Sequence, residues 1–261
     1  MSTLVKGIFF DLMKNALYGF FGRDNFIYYD EDNLMVKYMT EIKRLAHSSV
    51  LLKSDEKNIY IDPYRPDSLG SDLKKFYDKP EEADLLLITH PHHDHCDPET
   101  FEKMLSEKTT VIAPEGCAEK IDHDFTSLQS GDSSTFDGID IEAMHAYNLK
   151  RKRDSGNPFH PKGEGVGYLI TIDGKTIYHP GDTENIPEMQ DIEGVNIAFL
   201  PIDGTYTMDI DEAVDAAKAI GPNIVIPFHE RDADPEKFKR KLESDSDIKV
   251  EILDEGGILQ I

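Results

Sequence analysis

Four side chains able to bind a divalent metal fall within one short stretch: His90, His92, Asp94 and His95. Imidazole nitrogen and carboxylate oxygen together form the donor set of zinc and its divalent neighbours. The cluster follows the apolar run Leu85-Leu86-Leu87-Ile88-Thr89, the pattern of a strand buried on both faces. A loop leaving such a strand is free of ladder hydrogen bonds and can turn several side chains towards one point. Three further ligand-type residues also close strand-like segments: His145 after 139–144, Asp182 after 177–179 and His229 after 225–228. A single strand-end histidine is a cheap coincidence. A dense cluster with three more residues at the same kind of position predicts a metal centre.

Those positions need elements to hold them. Strands are predicted at 41–46, 49–53, 58–61, 85–89, 109–113, 139–145, 167–171, 175–179, 196–201 and 223–227, with Asp173-Gly174 as a hairpin turn. Helices are predicted at 98–106, at 209–220 with Asp209 as N-cap and Gly221-Pro222 as stop, and at 235–243. Strands interleaved with helices imply a layered α/β domain over residues 41–261. Residues 1–40 differ in composition. They hold nine Phe and Tyr residues, and Phe9, Met13, Ala16, Leu17, Phe20 and Phe21 follow helical spacing. This segment reads as an amphipathic helical arm packed on its own domain, with homo-oligomer contact and membrane-surface contact as the alternatives.

Composition narrows the function. The 261 residues include 51 acidic and 28 basic side chains, a net charge of −23, so general nucleic-acid binding and loose adhesion to anionic membranes are disfavoured. Two cysteines, Cys96 and Cys117, exclude a disulfide-stapled scaffold. No apolar run approaches the ~20 residues of a transmembrane helix. Residues 1–22 lack the pattern of a signal peptide, since Asp11 and Lys14 interrupt them, so a cytoplasmic setting is expected.

The hexapeptide His90-Pro91-His92-His93-Asp94-His95 resembles the His-x-His-x-Asp-His signature of the metallo-β-lactamase superfamily. Tyr178-His179-Pro180-Gly181-Asp182-Thr183 and Ile226-Pro227-Phe228-His229 resemble its later motifs, in order. Leu45-Ala46-His47-Ser48-Ser49, Ile61-Asp62-Pro63 and the stretch from Leu200 to Met208 are similar to the branch of ascorbate-6-phosphate lactonase-like proteins and related metal-dependent hydrolases. The resemblance implies an αββα four-layer sandwich and two divalent metal ions. His90, His92 and His145 would bind one; Asp94, His95 and His229 would bind the other; Asp182 would bridge them. Two such ions can share a hydroxide that is nucleophilic at neutral pH, which implies hydrolysis of an ester, lactone or phosphodiester bond. Zinc is the first choice, with manganese, iron or nickel compatible with the same donors. Superfamily members that reduce oxygen or nitric oxide carry glutamate where His92 stands, which argues against redox chemistry. A phosphodiesterase or nuclease of the same fold and a non-catalytic metal-binding scaffold are the rival readings.

Other residues carry two readings each. His47 is either a core histidine or a group beside the metals. Asp62 either serves a turn before Pro63 or, by resemblance, orients a ligand histidine. His179 stands near the Gly181-Asp182 turn with no requirement to bind metal. Gly163-Glu164-Gly165-Val166-Gly167 lacks the rest of a phosphate loop and suggests a close backbone approach at the pocket wall. The insertion at 148–162 carries Lys150, Arg151, Lys152 and Arg153 together with His160. It reads as a solvated charged loop or as a cover that recruits a small anionic substrate. His160 and Asp94 are then the candidates for the catalytic step.

Overall fold

The computed structural model describes residues 40–54 and 57–261 in full, and strands β1 (Phe26–Asp30) and β2 (Asn33–Lys37) by their backbone, an antiparallel pair. The amphipathic helix expected from Phe9 to Phe21 lies outside the described residues. The segment 1–40 also contains the strand pair β1 and β2.

Residues from 41 onward build two seven-stranded sheets. The first comprises β3 (Glu41–Arg44), β4 (Val50–Ser54), β5 (Lys57–Ile61), β6 (Leu85–Leu87), β7 (Thr110–Ala113), β8 (Thr126–Ser127) and the C-terminal β16 (Ile258–Gln260). Its order is β16-β3-β4-β5-β6-β7-β8, antiparallel as far as β5 and parallel beyond. The second comprises β9 (Ser133–Phe136), β10 (Ile139–Ala146), β11 (Gly165–Ile172), β12 (Lys175–His179), β13 (Ile197–Pro201), β14 (Ile224–Phe228) and β15 (Lys249–Val250). It is antiparallel from β9 to β12 and parallel from β12 to β15. Asp173 and Gly174, both on left-handed backbone, turn β11 into β12, as an Asp-Gly pair predicts.

Leu52, Ile59, Leu87, Ile141, Tyr168, Phe199 and Ile226 fill the space between the sheets. Helices cover the outer faces: α1 (Ser71–Asp78) and α2 (Pro98–Phe101) over the first sheet, α3 (Ile210–Ile220) and α4 (Pro235–Glu243) over the second. The result is the expected four-layer αββα sandwich. Asp209 caps α3 reciprocally with Glu212, and Gly221 closes it at φ 65°. The helix expected at 98–106 is shorter than its spacing predicts, and the Met104 carbonyl accepts instead from Ala83 N–H. Helix α1 has no sequence signal at its start, because Gly70 offers no capping side chain.

Strands β5, β6, β12, β13 and β14 are all parallel to a neighbour, and their C-terminal ends share one edge of the sandwich. Loops at such ends form the natural binding crevice of an α/β sheet. Asp62, His90, Asp182, Asp203 and His229 all stand just past those strands.

Candidate metal centre

The carboxylate of Asp182 is the meeting point. Its Oδ1 lies 3.3 Å from His95 Nε2, and its Oδ2 lies 3.2 Å from both His160 Nε2 and His229 Nε2. Donor atoms of His90, His92 and His160 fall within 4.8 Å of one another on one side, and those of His47, Asp94, His95 and His229 do so on the other. His95 Nε2 and Asp182 Oδ1 are buried and make no hydrogen bond. Buried polar atoms are almost always partnered, so this face-to-face pair points to a cation as the missing partner. Three imidazoles on one side, and imidazoles with carboxylates on the other, fit two divalent ions.

Each histidine is held by a specific contact. Asp62, fully buried after β5, accepts the Thr89 N–H at 2.7 Å, the Thr89 hydroxyl at 2.6 Å and His95 Nδ1–H at 2.7 Å. Both of its oxygens accept hydrogen bonds, although its donor atoms also lie within 4.8 Å of those of His90 and His95. With the Thr89 hydroxyl donating to Asp62, its oxygen accepts from His90 Nδ1 at 3.0 Å, leaving His90 Nε2 as the lone pair. One carboxylate thus sets the tautomer of two histidines. Asp62→Asn is expected to lower metal affinity about 10–100-fold while the fold persists, checked by titrating a competing chelator.

On the other sheet, Asp203 Oδ2 stands 2.9 Å from His229 Nδ1, while its Oδ1 accepts the backbone N–H groups of Thr205, Tyr206 and Thr207. Sequence reasoning did not single out Asp203, although an Asp-Gly pair just past an apolar strand was a usable signal. His179 is fully buried against Phe199 and Phe228. Gly181 N–H donates to its Nδ1 at 3.3 Å, so Nε2–H donates to the Ser48 carbonyl at 2.9 Å. It is a strut between the two sheets. His47 contacts Asp94 at 3.3 Å and packs 4.0 Å from the His229 ring. His47, Asp62 and His229 stand on left-handed backbone, which Asp and His tolerate better than most residues and which often gathers at functional sites.

The largest departure from expectation concerns His145. Ala146, not His145, lines the cleft beside His90 and His92. His145 belongs to none of the donor groups among the described residues; its Nδ1 is buried without a hydrogen-bond partner, and its ring centroid lies 6.4 Å from that of Tyr147. His160 is the histidine whose donor atoms group with those of His90 and His92. The insertion folds back because buried Glu184 accepts the backbone N–H groups of Leu149, Lys150 and Arg151. Asn148 Oδ1 then accepts from both His160 N–H (2.7 Å) and His160 Nδ1 (2.9 Å), leaving Nε2 towards Asp182.

The four basic residues of the insertion part company. Lys150 pairs with Glu212, and Arg151 with Glu184 and Glu212, so both brace the loop. Lys152 is exposed. Arg153 lines a cavity of about 310 Å³ over the centre, together with Phe159, Tyr206 and Arg231. The glycine segment is a close-packing device: a Cβ on Gly165 would sit 2.8 Å from His90 Cβ. His93 is a rim residue of the same cavity.

Electrostatics divide the histidines. Burial holds His90 well below the ordinary value of 6.5 and His92 at about 4, so both are neutral lone-pair donors. Burial also opposes charge on His95, but Asp182 and Asp62 outweigh it and lift His95 to about 9; His229 is raised in the same way by Asp182 and Asp203. Raised groups stabilise the fold below 6.5, and that contribution is lost as pH climbs through 9. Depressed groups withdraw theirs as pH falls from 6.5 towards 4. Metal-free protein is therefore expected to melt highest near pH 6.5, with Tm falling on both sides. Metal displaces the protons of His95 and His229, so loading should flatten the alkaline limb in the same melts.

The chain matches the β-lactamase superfamily domain over residues 41–229. A UPF0173 metal-dependent hydrolase of Pelotomaculum thermopropionicum is 31% identical over 227 residues, covering 83% of this chain and 98% of that protein. The chain belongs to the metallo-β-lactamase superfamily. Within it, the chain stands among the UPF0173 metal-dependent hydrolases. Two solved structures are similar throughout. One, from Parabacteroides distasonis, has a TM-score of 0.73 and 33% identity, covering 87% of this chain and 97% of that one. The other is Igni18, a metallo hydrolase from Ignicoccus hospitalis, with a TM-score of 0.71 and 29% identity, covering 85% of this chain and 98% of that one. Among the described residues of this superfamily member, no helix is long and apolar enough to cross a membrane.

Proposed function

We propose that this protein hydrolyses an ester, lactone or phosphodiester bond in a small anionic molecule, with two divalent cations, zinc first among them. The observation that carries the reading is the position of Asp182, whose single carboxylate faces His95, His160 and His229 and so touches both donor groups. His90, His92 and His160 would hold one ion, and Asp94, His95 and His229 the other, with Asp182 between them. Bound there, the ions would supply Lewis acidity and a water acidic enough to act as a nucleophile near neutral pH.

The chain's own groups divide the remaining work. Asp62 and Asp203 fix the rings of His95 and His229, so the donors are set before substrate arrives. Burial alone would raise the Asp94 carboxyl, but His47 and His95 hold it low, and it faces the cavity as a carboxylate. Phe159 and His160 line the same cavity as Asp94. The lactonase-like branch remains part of the reading, supported by the segment from Leu200 to Met208 that carries Asp203. A cytoplasmic setting belongs to the same reading, in which the buried thiols of Cys96 and Cys117 stay reduced.

Elemental analysis of gently purified protein, combined with turnover assays on phosphodiesters, lactones, thioesters and sugar phosphates, tests this. About two equivalents of metal and turnover of one bond class are expected; metal-free protein inert towards every class would overturn it.

A further inference from the structure

The six described arginines separate cleanly. Arg44, Arg65, Arg151 and Arg240 each pair with a carboxylate: Glu230, Asp78, Glu184 with Glu212, and Asp234. Arg153 and Arg231 pair with none, and both line the cavity over the centre. In a chain of net charge −23 carboxylates are abundant, yet these two guanidinium groups pair with none, at a cavity whose only other charged side chains among the described residues, Asp94 and Asp182, belong to the metal centre and would be neutralised by its cations.

Their placement is built rather than incidental. Arg153 lies over the Phe159 ring at 5.2 Å, donates to the Phe159 carbonyl and stands 3.1 Å from His92 Nε2. Arg231 lies over the Tyr206 ring at 5.1 Å. The two rings meet edge to face at 4.8 Å, so the arginines are carried by one aromatic floor. Stacking occupies the guanidinium faces and leaves N–H edges for a ligand. Arg231 also stands at φ 47°. The preceding Glu230 is tied to buried Arg44 at 2.6 Å, and Arg44 in turn donates to the Leu253 carbonyl, which pins the turn in that conformation.

We propose that Arg153 and Arg231 form a clamp for a terminal phosphoryl group of the substrate, distinct from the bond that is cleaved. One guanidinium fork can satisfy both oxygens of a carboxylate, whereas the three terminal oxygens of a phosphoryl group accept from two forks at once. A cavity of about 310 Å³ suits a small phosphorylated metabolite rather than a polymer. This inference rests on the hydrolase reading for the word substrate, but the anion site itself does not.

The test is equilibrium dialysis of metal-loaded protein against labelled inorganic phosphate, with acetate as the carboxylate probe. Arg153→Gln and Arg231→Gln are each expected to weaken phosphate binding about 10-fold or more, with metal content unchanged. Lys103→Gln, which removes an exposed charge elsewhere, should leave it unaltered. Phosphate held equally by the double variant, or not held by the wild type, overturns the clamp; acetate held as tightly as phosphate overturns the phosphoryl assignment. Turnover of a neutral nitrophenyl ester separates the two readings. Turnover with arginine-independent phosphate binding sinks the clamp alone, and arginine-dependent binding without any turnover sinks the hydrolase reading alone.

Discussion

Asp182→Ala is expected to reduce turnover to background and to weaken metal binding by more than the roughly 10–100-fold typical of groups that merely support a ligand. Among the described residues, Asp182 is the one carboxylate within 3.3 Å of His95, His160 and His229 together. Its loss removes a donor from both sides of the centre. It also removes the main charge that lifts His95 to about 9 and raises His229. Metal-free Asp182→Ala should therefore show a weaker alkaline decline of Tm than metal-free wild type, a readout independent of activity. Elemental analysis and melting curves check both statements. Normal metal content in the variant would mean that the carboxylate does not join the two donor groups.

His160→Ala and His145→Ala are expected to part sharply. The first should lose one metal equivalent and nearly all turnover, because His160 Nε2 faces Asp182 while its Nδ1 is anchored on Asn148. The second should keep its metal and turn over within a few-fold of wild type, because His145 belongs to neither donor group and Ala146 lines the cleft. Asn148→Ala provides a graded intermediate: His160 remains but loses its anchor, so metal affinity should fall about 10–100-fold without disappearing. Loss of metal in His145→Ala with retention in His160→Ala would reverse the assignment of the third imidazole.

These two experiments bear on residues that read almost alike in the sequence. His145 closes a strand and His160 sits in a charged insertion, so strand-end logic favours the former. What decides between them is Glu184, an acidic residue past the Asp182 turn that gathers three N–H groups of the insertion and folds it over the centre. The same buried carboxylate, with Glu212, absorbs Arg151, while Lys150 goes to Glu212. A run of four basic residues is thus reduced to one cavity-facing guanidinium, and the second comes from Arg231, which no motif marked.

Local pattern sufficed for much of this protein. The apolar runs mark the strands, the Asp209 and Gly221 caps bound α3, and the spacing from His90 to His95 announces the metal chemistry. All depend on neighbours within a few residues, where backbone periodicity and side-chain reach are fixed by covalent geometry. The tertiary structure alone decided which imidazole groups with those of His90 and His92, that Asp62 and Asp203 contact the rings of His95 and His229, and that β16 closes the first sheet beside β3. These are pairings across long stretches of chain, chosen by burial: a carboxylate or ring nitrogen removed from water must find a partner wherever the packed layers bring one, and no local spacing encodes where that is.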